Sequence, residues 1–182
     1  AWVYLDSEPA ASLMTVAAKM DADDAGSTAS EYRMQYRTSN DRFEAEVSNT
    51  HVAVANNFGA VSTGTWYFLV MHSRTTGVDQ VAISVNNGTE NTTTITDVPA
   101  DTTEAFEIGA VSGSVSGVIF AWDGRIDEVG WWKADLNADQ VTALYNGGVG
   151  SQYDAATTCV VSGAMIISQG RLTFPCISSL MP

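Results

Sequence analysis

The stretch Trp122-Asp-Gly-Arg-Ile-Asp-Glu-Val-Gly-Trp-Trp132, with a capped helix shortly after it, constrains the fold more than any other part of the chain. Asp123-Gly124 marks a turn. From there the residues alternate as in a strand, with Ile126, Glu128 and Gly130 on one side and Arg125, Asp127, Val129 and Trp131 on the other. The helix carries a full set of end signals. Asn137 is the N-cap, Gln140 completes a capping box, Leu136 and Val141 form a hydrophobic staple, and Asn146-Gly147 closes the last turn. A single helix after a strand, in a chain whose other segments are strand-like, predicts an all-β sandwich with one short helix near 137–146.

The remaining segments fit that expectation. Trp2 to Leu5 and Leu13 to Lys19 are short β-rich runs, the second leading into the acidic loop Asp21-Ala-Asp-Asp-Ala-Gly26. In Glu31 to Arg37, Tyr32, Met34 and Tyr36 alternate with Arg33, Gln35 and Arg37; Phe43, Ala45 and Val47 alternate with Arg42, Glu44 and Glu46 in the next run. The two runs predict an antiparallel hairpin whose opposite charges pair across the polar face. Trp66 to Met71 is nearly continuous in apolar residues and predicts a central strand buried on both sides, with Trp66, like Trp2, in the core. Val81 to Val85 precedes an Asn86-Asn-Gly88 turn, Thr92 to Val98 and Glu104 to Val111 are expected to pair with each other, and Val118 to Ala121 leads into the opening stretch. Gly-, Ser- and Thr-rich connectors separate the strands, and no window of the chain has the apolar length of a membrane-spanning helix.

Gly124-Arg-Ile-Asp-Glu-Val129, then Trp132-Lys133, then Leu136 through Tyr145 resembles the C-terminal signature of laminin-G-like, concanavalin-A-like jelly-roll domains, in which a Gly-x-Ile-Asp-Glu-Val strand precedes a helix ending in Leu-Tyr. Ala1-Trp-Val-Tyr-Leu5 is similar to an early strand of that family, Gly64-Thr-Trp-Tyr-Phe68 to its Gly-x-Trp strand, Val81 to Gly88 to its Tyr-Val-Asp-Gly hairpin, and Phe106-Glu-Ile-Gly109 to its Leu-x-Ile-Gly strand. The resemblance implies a two-sheet antiparallel jelly-roll sandwich over 1–150. The family's first strands have no counterpart ahead of Trp2, which raises the expectation of a processed or truncated chain, or of strands supplied from elsewhere. The same architecture serves lectins, hydrolases, adhesion modules and virion proteins, so it does not select a function.

Residues 151–182 change character and are read as an added C-terminal β arm. It docks beside the sandwich or reaches onto a neighbouring subunit. Cys159 and Cys176 are the chain's two cysteines and flank β-rich runs around Ser168-Gln-Gly170, so a hairpin there would bring them within reach of a disulfide worth about 3 kcal/mol. If oxidised, the bridge argues for an extracellular or virion setting; two free thiols are the alternative.

The formal net charge of −13 repels phosphate backbones and anionic lipid surfaces, which makes nucleic acid and anionic membranes poor candidate partners. Retaining glycosidases of the superfamily carry a Glu-x-Asp-x-x-Glu strand motif that sets two carboxyl groups on one face about 5 Å apart. That motif is missing, and both Glu104-x-x-Glu107 and Asp127-Glu128 point their carboxylates to opposite faces of a strand. His51 and His72 are the only histidines, and no serine sits in a Gly-x-Ser-x-Gly elbow, so an enzyme is not expected. The family often binds calcium through loop carboxylates, and by that resemblance Asp21, Asp23 and Asp24 are candidate ligands. Trp122, Trp131 and Trp132 are candidate ligand-binding residues, because neighbouring tryptophans on a strand point opposite ways and leave one facing out. Asn87-Gly-Thr89 and Asn91-Thr-Thr93 match glycosylation acceptors, which matters only in a eukaryotic secretory setting. Three function classes are compatible with this reading. The first is a non-enzymatic extracellular adhesion module recognising carbohydrate. The second is a self-assembling virion or surface-filament component, with the arm as an intersubunit clasp and a homo-oligomer as its form. The third is a glycoside hydrolase or lyase.

Overall fold

The computed structural model describes residues 1–8, 13–23, 30–74, 78–96 and 101–150, together with the backbone of 165–168 and 171–173. In chain order the strands are β1 (Trp2–Leu5), β2 (Leu13–Met20), β3 (Ser30–Arg37), β4 (Arg42–Val47), β5 (His51–Val54), β6 (Trp66–Arg74), β7 (Gln80–Val85) and β8 (Asn91–Thr94). They continue with β9 (Phe106–Ile108), β10 (Val111–Gly113), β11 (Gly117–Ile119), β12 (Gly124–Asp127) and β13 (Val129–Trp131), then helix α1 (Ala138–Tyr145), β14 (Met165–Ser168) and β15 (Arg171–Thr173). Sheet 1 has the order β12-β1-β6-β7-β8 and sheet 2 the order β5-β4-β3-β2-β9, with every pairing antiparallel. The two sheets form a sandwich consistent with a jelly roll, as the alternation implied.

Strand period explains the core. Val3 and Leu5 of β1, Val16 of β2, Tyr36 of β3, Phe43 and Ala45 of β4, Leu69 of β6 and Ile83 of β7 all point between the sheets and are fully or almost fully buried. Each large member contributes roughly 1.5–3 kcal/mol by leaving water. Tyr36, Phe43 and Tyr67 meet edge-on, with ring centres 6.0 and 5.3 Å apart. A second, smaller core lies outside sheet 1, where Trp2, Phe68 and Val70 are covered by Val141 of α1, with Leu136, Leu144 and Tyr145 packed around them. Helix α1 has the expected ends. The Asn137 side chain accepts from the Gln140 N–H, the Gln140 side chain accepts from the Asn137 N–H, and Asn146 stops the helix in the left-handed region.

Two expectations are corrected. The strand from Arg125 to Trp131 is not continuous: Glu128 sits at φ +49° and splits it into β12, which pairs with β1, and β13, which pairs with β14. The cause is local, because the Asp127 side chain accepts the Glu128 N–H at 2.8 Å and withdraws that donor from the ladder. The segments around Thr92 and Phe106 do not pair with each other either. β8 adds to β7 in sheet 1, whereas β9 adds to residues 17–19 of β2 in sheet 2. At the other end, residues 166–168 pair antiparallel with β15, so the backbone of β14 and β15 joins β13 as a three-stranded sheet. Cys159 and Cys176, and with them the disulfide, lie outside the described residues.

Candidate functional site

The outer face of sheet 1 is half covered and half open. Because Val3 and Leu5 face inward, Trp2 and Tyr4 face outward, and the register places Trp2 opposite Phe68 and Asp127, and Tyr4 opposite Trp66 and Arg125. Helix α1 covers the Trp2–Phe68–Val70 part, with the Tyr145 ring stacked on Trp2 at 5.8 Å. The other part stays open as a short aromatic ridge. Arg125 lies 4.5 Å over the Tyr4 ring, Tyr4 meets Trp66 at 5.5 Å, and Trp66 is 38% exposed. Gly124 holds this ridge together, since a Cβ there would run into the Tyr4 carbonyl oxygen and push β12 off β1.

Between the ridge and the end of α1 lies a cleft of about 190 Å³, lined among the described residues by Trp2, Trp66, Asp127, Glu128 and the loop Gly148, Val149 and Gly150. A helix that ends in the left-handed region and runs on into glycines leaves that wall with little side chain. Asn146 Nδ2 donates to the Gly150 carbonyl at 2.7 Å and fixes the loop. Gly150, at φ +72°, is the critical position: a Cβ would stand 2.9 Å from a Glu128 oxygen and 3.1 Å from Trp2 Nε1. Trp2 is only 8% exposed, yet its Nε1–H has no hydrogen-bond partner. A buried donor left in that state costs on the order of 1–3 kcal/mol.

The other wall of α1 is anchored electrostatically. Asp135, just before the helix, is bound by His72 Nδ1 and by Arg74 Nε at 2.7 Å, and Arg74 grips Glu90 through two bonds at 2.8 and 2.9 Å. Burial pushes the Asp135 carboxyl up, but the Arg74 hydrogen bond and the His72 charge outweigh it and hold the group below the usual carboxylate range. His72 therefore belongs to a fastening between β6 and the helix.

The outer face of sheet 2 has a different character. Arg33 donates to Glu46 at 2.9 Å, Gln35 to Glu44 at 2.7 Å, Arg37 to Glu44 at 2.7 Å and Asn40 to Glu44 at 2.7 Å. The charge pairing expected across this hairpin is present. The ladder is also buried: Arg33, Gln35, Glu44 and Glu46 are each exposed by 5% or less, and Gln35 Oε1 and Glu46 Oε1 lack partners.

The other candidates fall elsewhere. Trp122 is half-buried against the main core and gives its Nε1–H to the Tyr4 carbonyl at 3.1 Å, bracing the underside of the ridge. Trp131 is 41% exposed on β13, and Trp132 is half-buried with its ring folded over Gly130. Asp21 accepts from the N–H groups of Asp23 and Ser114, and Asp23 from those of Val115 and Ser116 and from the Ser116 hydroxyl. These bonds fasten the β10–β11 turn and hold both carboxyls below their ordinary range. Asp24 lies outside the described residues, and among the described residues no three His, Cys, Asp or Glu side chains gather as a metal site. The apolar run around Trp66 predicts a core position that the structure corrects. Trp66 opens strand β6 at the sheet's rim, where an apolar run no longer implies burial.

The sandwich and the family comparison agree. The family model for the concanavalin A-like lectin/glucanases superfamily matches residues 1–142, so the chain belongs to that superfamily. No match is found among curated proteins or among solved structures. Membership fits a carbohydrate-binding or adhesion-type module, and laminin-G-like domains of this kind are typically extracellular.

Proposed function

We propose that the chain is a non-enzymatic extracellular module that recognises carbohydrate on the open half of sheet 1. The observation that carries this reading is the exposed Trp66 indole beside the unpaired Trp2 Nε1–H, with Asp127 and Glu128 at the edge of the same cleft. The negative face of an indole attracts the C–H face of a sugar ring, and the flanking polar groups then read its hydroxyls. At about 190 Å³ the cleft is smaller than the roughly 300–1,000 Å³ of an enclosed small-molecule pocket, which suits one ring of a longer chain lying across the ridge. Against catalysis stands the arrangement of Glu44 and Glu46: they share a sheet face, but each carries an arginine partner, whereas glycoside cleavage needs one carboxyl group protonated. A glycan array probed with the native protein and with Trp66→Ala tests the proposal. Signals that vanish in the variant support it; an array blank for both, or signals equal for both, overturns it.

A second reading, assembly through the C-terminal arm, is favoured by one observation: β14 of the arm joins the sandwich through backbone pairing with β13, a contact that a neighbouring copy can supply equally well. Native mass spectrometry with and without reductant checks it. An oligomer that dissociates on deletion of residues 151–182 supports the clasp, and a monomer throughout removes it.

A further inference from the structure

We infer that Arg125 reads the glycan held at Trp66, its guanidinium donating to two adjacent oxygens of one sugar ring. Those oxygens are either neighbouring hydroxyls or the two oxygens of a ring carboxylate. The inference rests on the carbohydrate reading above and deepens it by naming the polar group that confers selectivity.

The strand register sets the placement. Arg125, Tyr4 and Trp66 stand opposite one another on β12, β1 and β6, so they rise side by side from the outer face of sheet 1 as one row across the strands. Gly124, immediately before Arg125, lets β12 lie against the Tyr4 carbonyl. The guanidinium then rests over the Tyr4 ring at 4.5 Å, and toward β6 the same ring meets Trp66 at 5.5 Å.

The bodies of these side chains hold one another, while their polar ends stay open. Among the described residues, the Arg125 N–H groups, the Tyr4 hydroxyl and Trp66 Nε1 form no hydrogen bond. Arg125 does have an ion-pair partner. Asp6 Oδ1 is 3.7 Å from one guanidinium nitrogen, with the two side chains 62% and 47% exposed. That separation is too long for a hydrogen bond, and an ion pair between solvated groups is weak. The guanidinium is therefore oriented by an aromatic ring, carries its charge and keeps its N–H groups in water. A ligand displaces solvent there and breaks no hydrogen bond of the protein.

A planar fork of donors fits two neighbouring acceptors at once, which a lysine ammonium cannot imitate. A sugar chain stacked on Trp66 and running across the strands toward β12 passes the Tyr4 hydroxyl and reaches that fork. Because Arg125 donates and never accepts, removing either of the two sugar oxygens removes a bond that nothing else replaces.

The experiment is calorimetric titration of the full chain with the oligosaccharide giving the strongest Trp66-dependent signal on the glycan array, with its monodeoxy analogues and with the corresponding uronate. Native protein, Trp66→Ala, Arg125→Lys and Arg125→Ala are compared at low and physiological salt, after their unfolding temperatures are shown to match. Both Arg125 variants should bind the parent sugar about tenfold or more weakly, and the native preference for the parent over two adjacent monodeoxy analogues should vanish in both. Binding indifferent to salt assigns the fork to vicinal hydroxyls; tighter, salt-sensitive binding of the uronate assigns it to a carboxylate. Native affinity in either Arg125 variant, or an equal loss for parent and deoxy sugars as a merely structural arginine would give, overturns the inference and leaves the carbohydrate reading standing. The absence of any Trp66-dependent binding overturns both.

Discussion

The outer faces of the two sheets are built from the same alternating pattern and end up with opposite properties. On sheet 2 the polar positions of β3 and β4 meet their counter-charges across the hairpin, so Arg33, Gln35, Arg37, Asn40, Glu44 and Glu46 are engaged mainly with one another. On sheet 1 the outward positions of β1 and β6 are aromatic, and a short helix covers only part of them, leaving Trp66 exposed and the Trp2 N–H without a partner. The buried charge ladder of sheet 2 fastens its hairpin, although Gln35 Oε1 and Glu46 Oε1 stay without partners, whereas sheet 1 leaves the Trp66 ring partly in solvent, and an exposed aromatic surface has something to offer a ligand. The difference begins with what the strands carry outward, charged and amide side chains on sheet 2 and aromatic ones on sheet 1, and on sheet 1 a helix eight residues long covers only part of the face.

The largest expected effect breaks the ladder. Glu44→Ala removes the acceptor shared by Gln35, Arg37 and Asn40 and is expected to cost about 3–5 kcal/mol in urea denaturation, with glycan affinity of the folded fraction unchanged. A cost below about 1 kcal/mol would place this face outside the structural core. Trp66→Ala should do the reverse. Stability stays within about 1 kcal/mol because the ring is partly solvated, while affinity falls by roughly 30-fold or more, as for a central aromatic anchor. A third substitution, Asn137→Ala, sharpens the boundary between covered and open surface. Losing the capping box should cost about 1 kcal/mol in thermal unfolding and raise amide exchange through α1.

The smallest effect is a pH dependence. The Ser116 hydroxyl and backbone N–H groups lower the Asp23 pKa, and the N–H groups of Asp23 and Ser114 lower that of Asp21, both from 3.8. Because the folded values are the lower ones, this contribution is fully present above the unfolded pKa and is lost as pH falls through the folded values. Amide exchange measured down a pH series should lose protection at Val115 and Ser116 only below the ordinary carboxylate range, and Asp23→Asn should flatten that dependence.

Much of this architecture is legible in the sequence because it depends on local signals. The capping residues Asn137 and Gln140, the Asn86-Asn87 turn, and the alternation of β3 and β4 are all short-range, and each appears where the sequence places it. The features that escape such a reading depend on partners far apart in the chain or on competition between local bonds. The break at Glu128 comes from a side-chain bond that competes with the ladder, and β9 pairs with β2 in sheet 2 instead of with the Thr92 run that precedes it in the chain. The candidate cleft is hidden for a similar reason. Trp2 and Trp66 sit in apolar runs that signal burial, and only the register of β1 with β6 and the early end of α1 show that the Trp66 indole is partly exposed while the buried Trp2 borders the same cleft. The acidic pair Asp127-Glu128 is visible as sequence, but its relation to Trp2 requires β12 to lie beside β1.

The most direct measurement is a two-dimensional ¹H–¹⁵N spectrum of the uniformly labelled protein, titrated with the oligosaccharide that gives the strongest signal on the glycan array. The account predicts that the indole N–H signals of Trp2 and Trp66 move together with the amides of Glu128 and Gly150, which border the same cleft. The amides of Arg33, Gln35 and Glu44 should stay in place. Shifts concentrated on those sheet 2 residues, with both indoles unmoved, would contradict it.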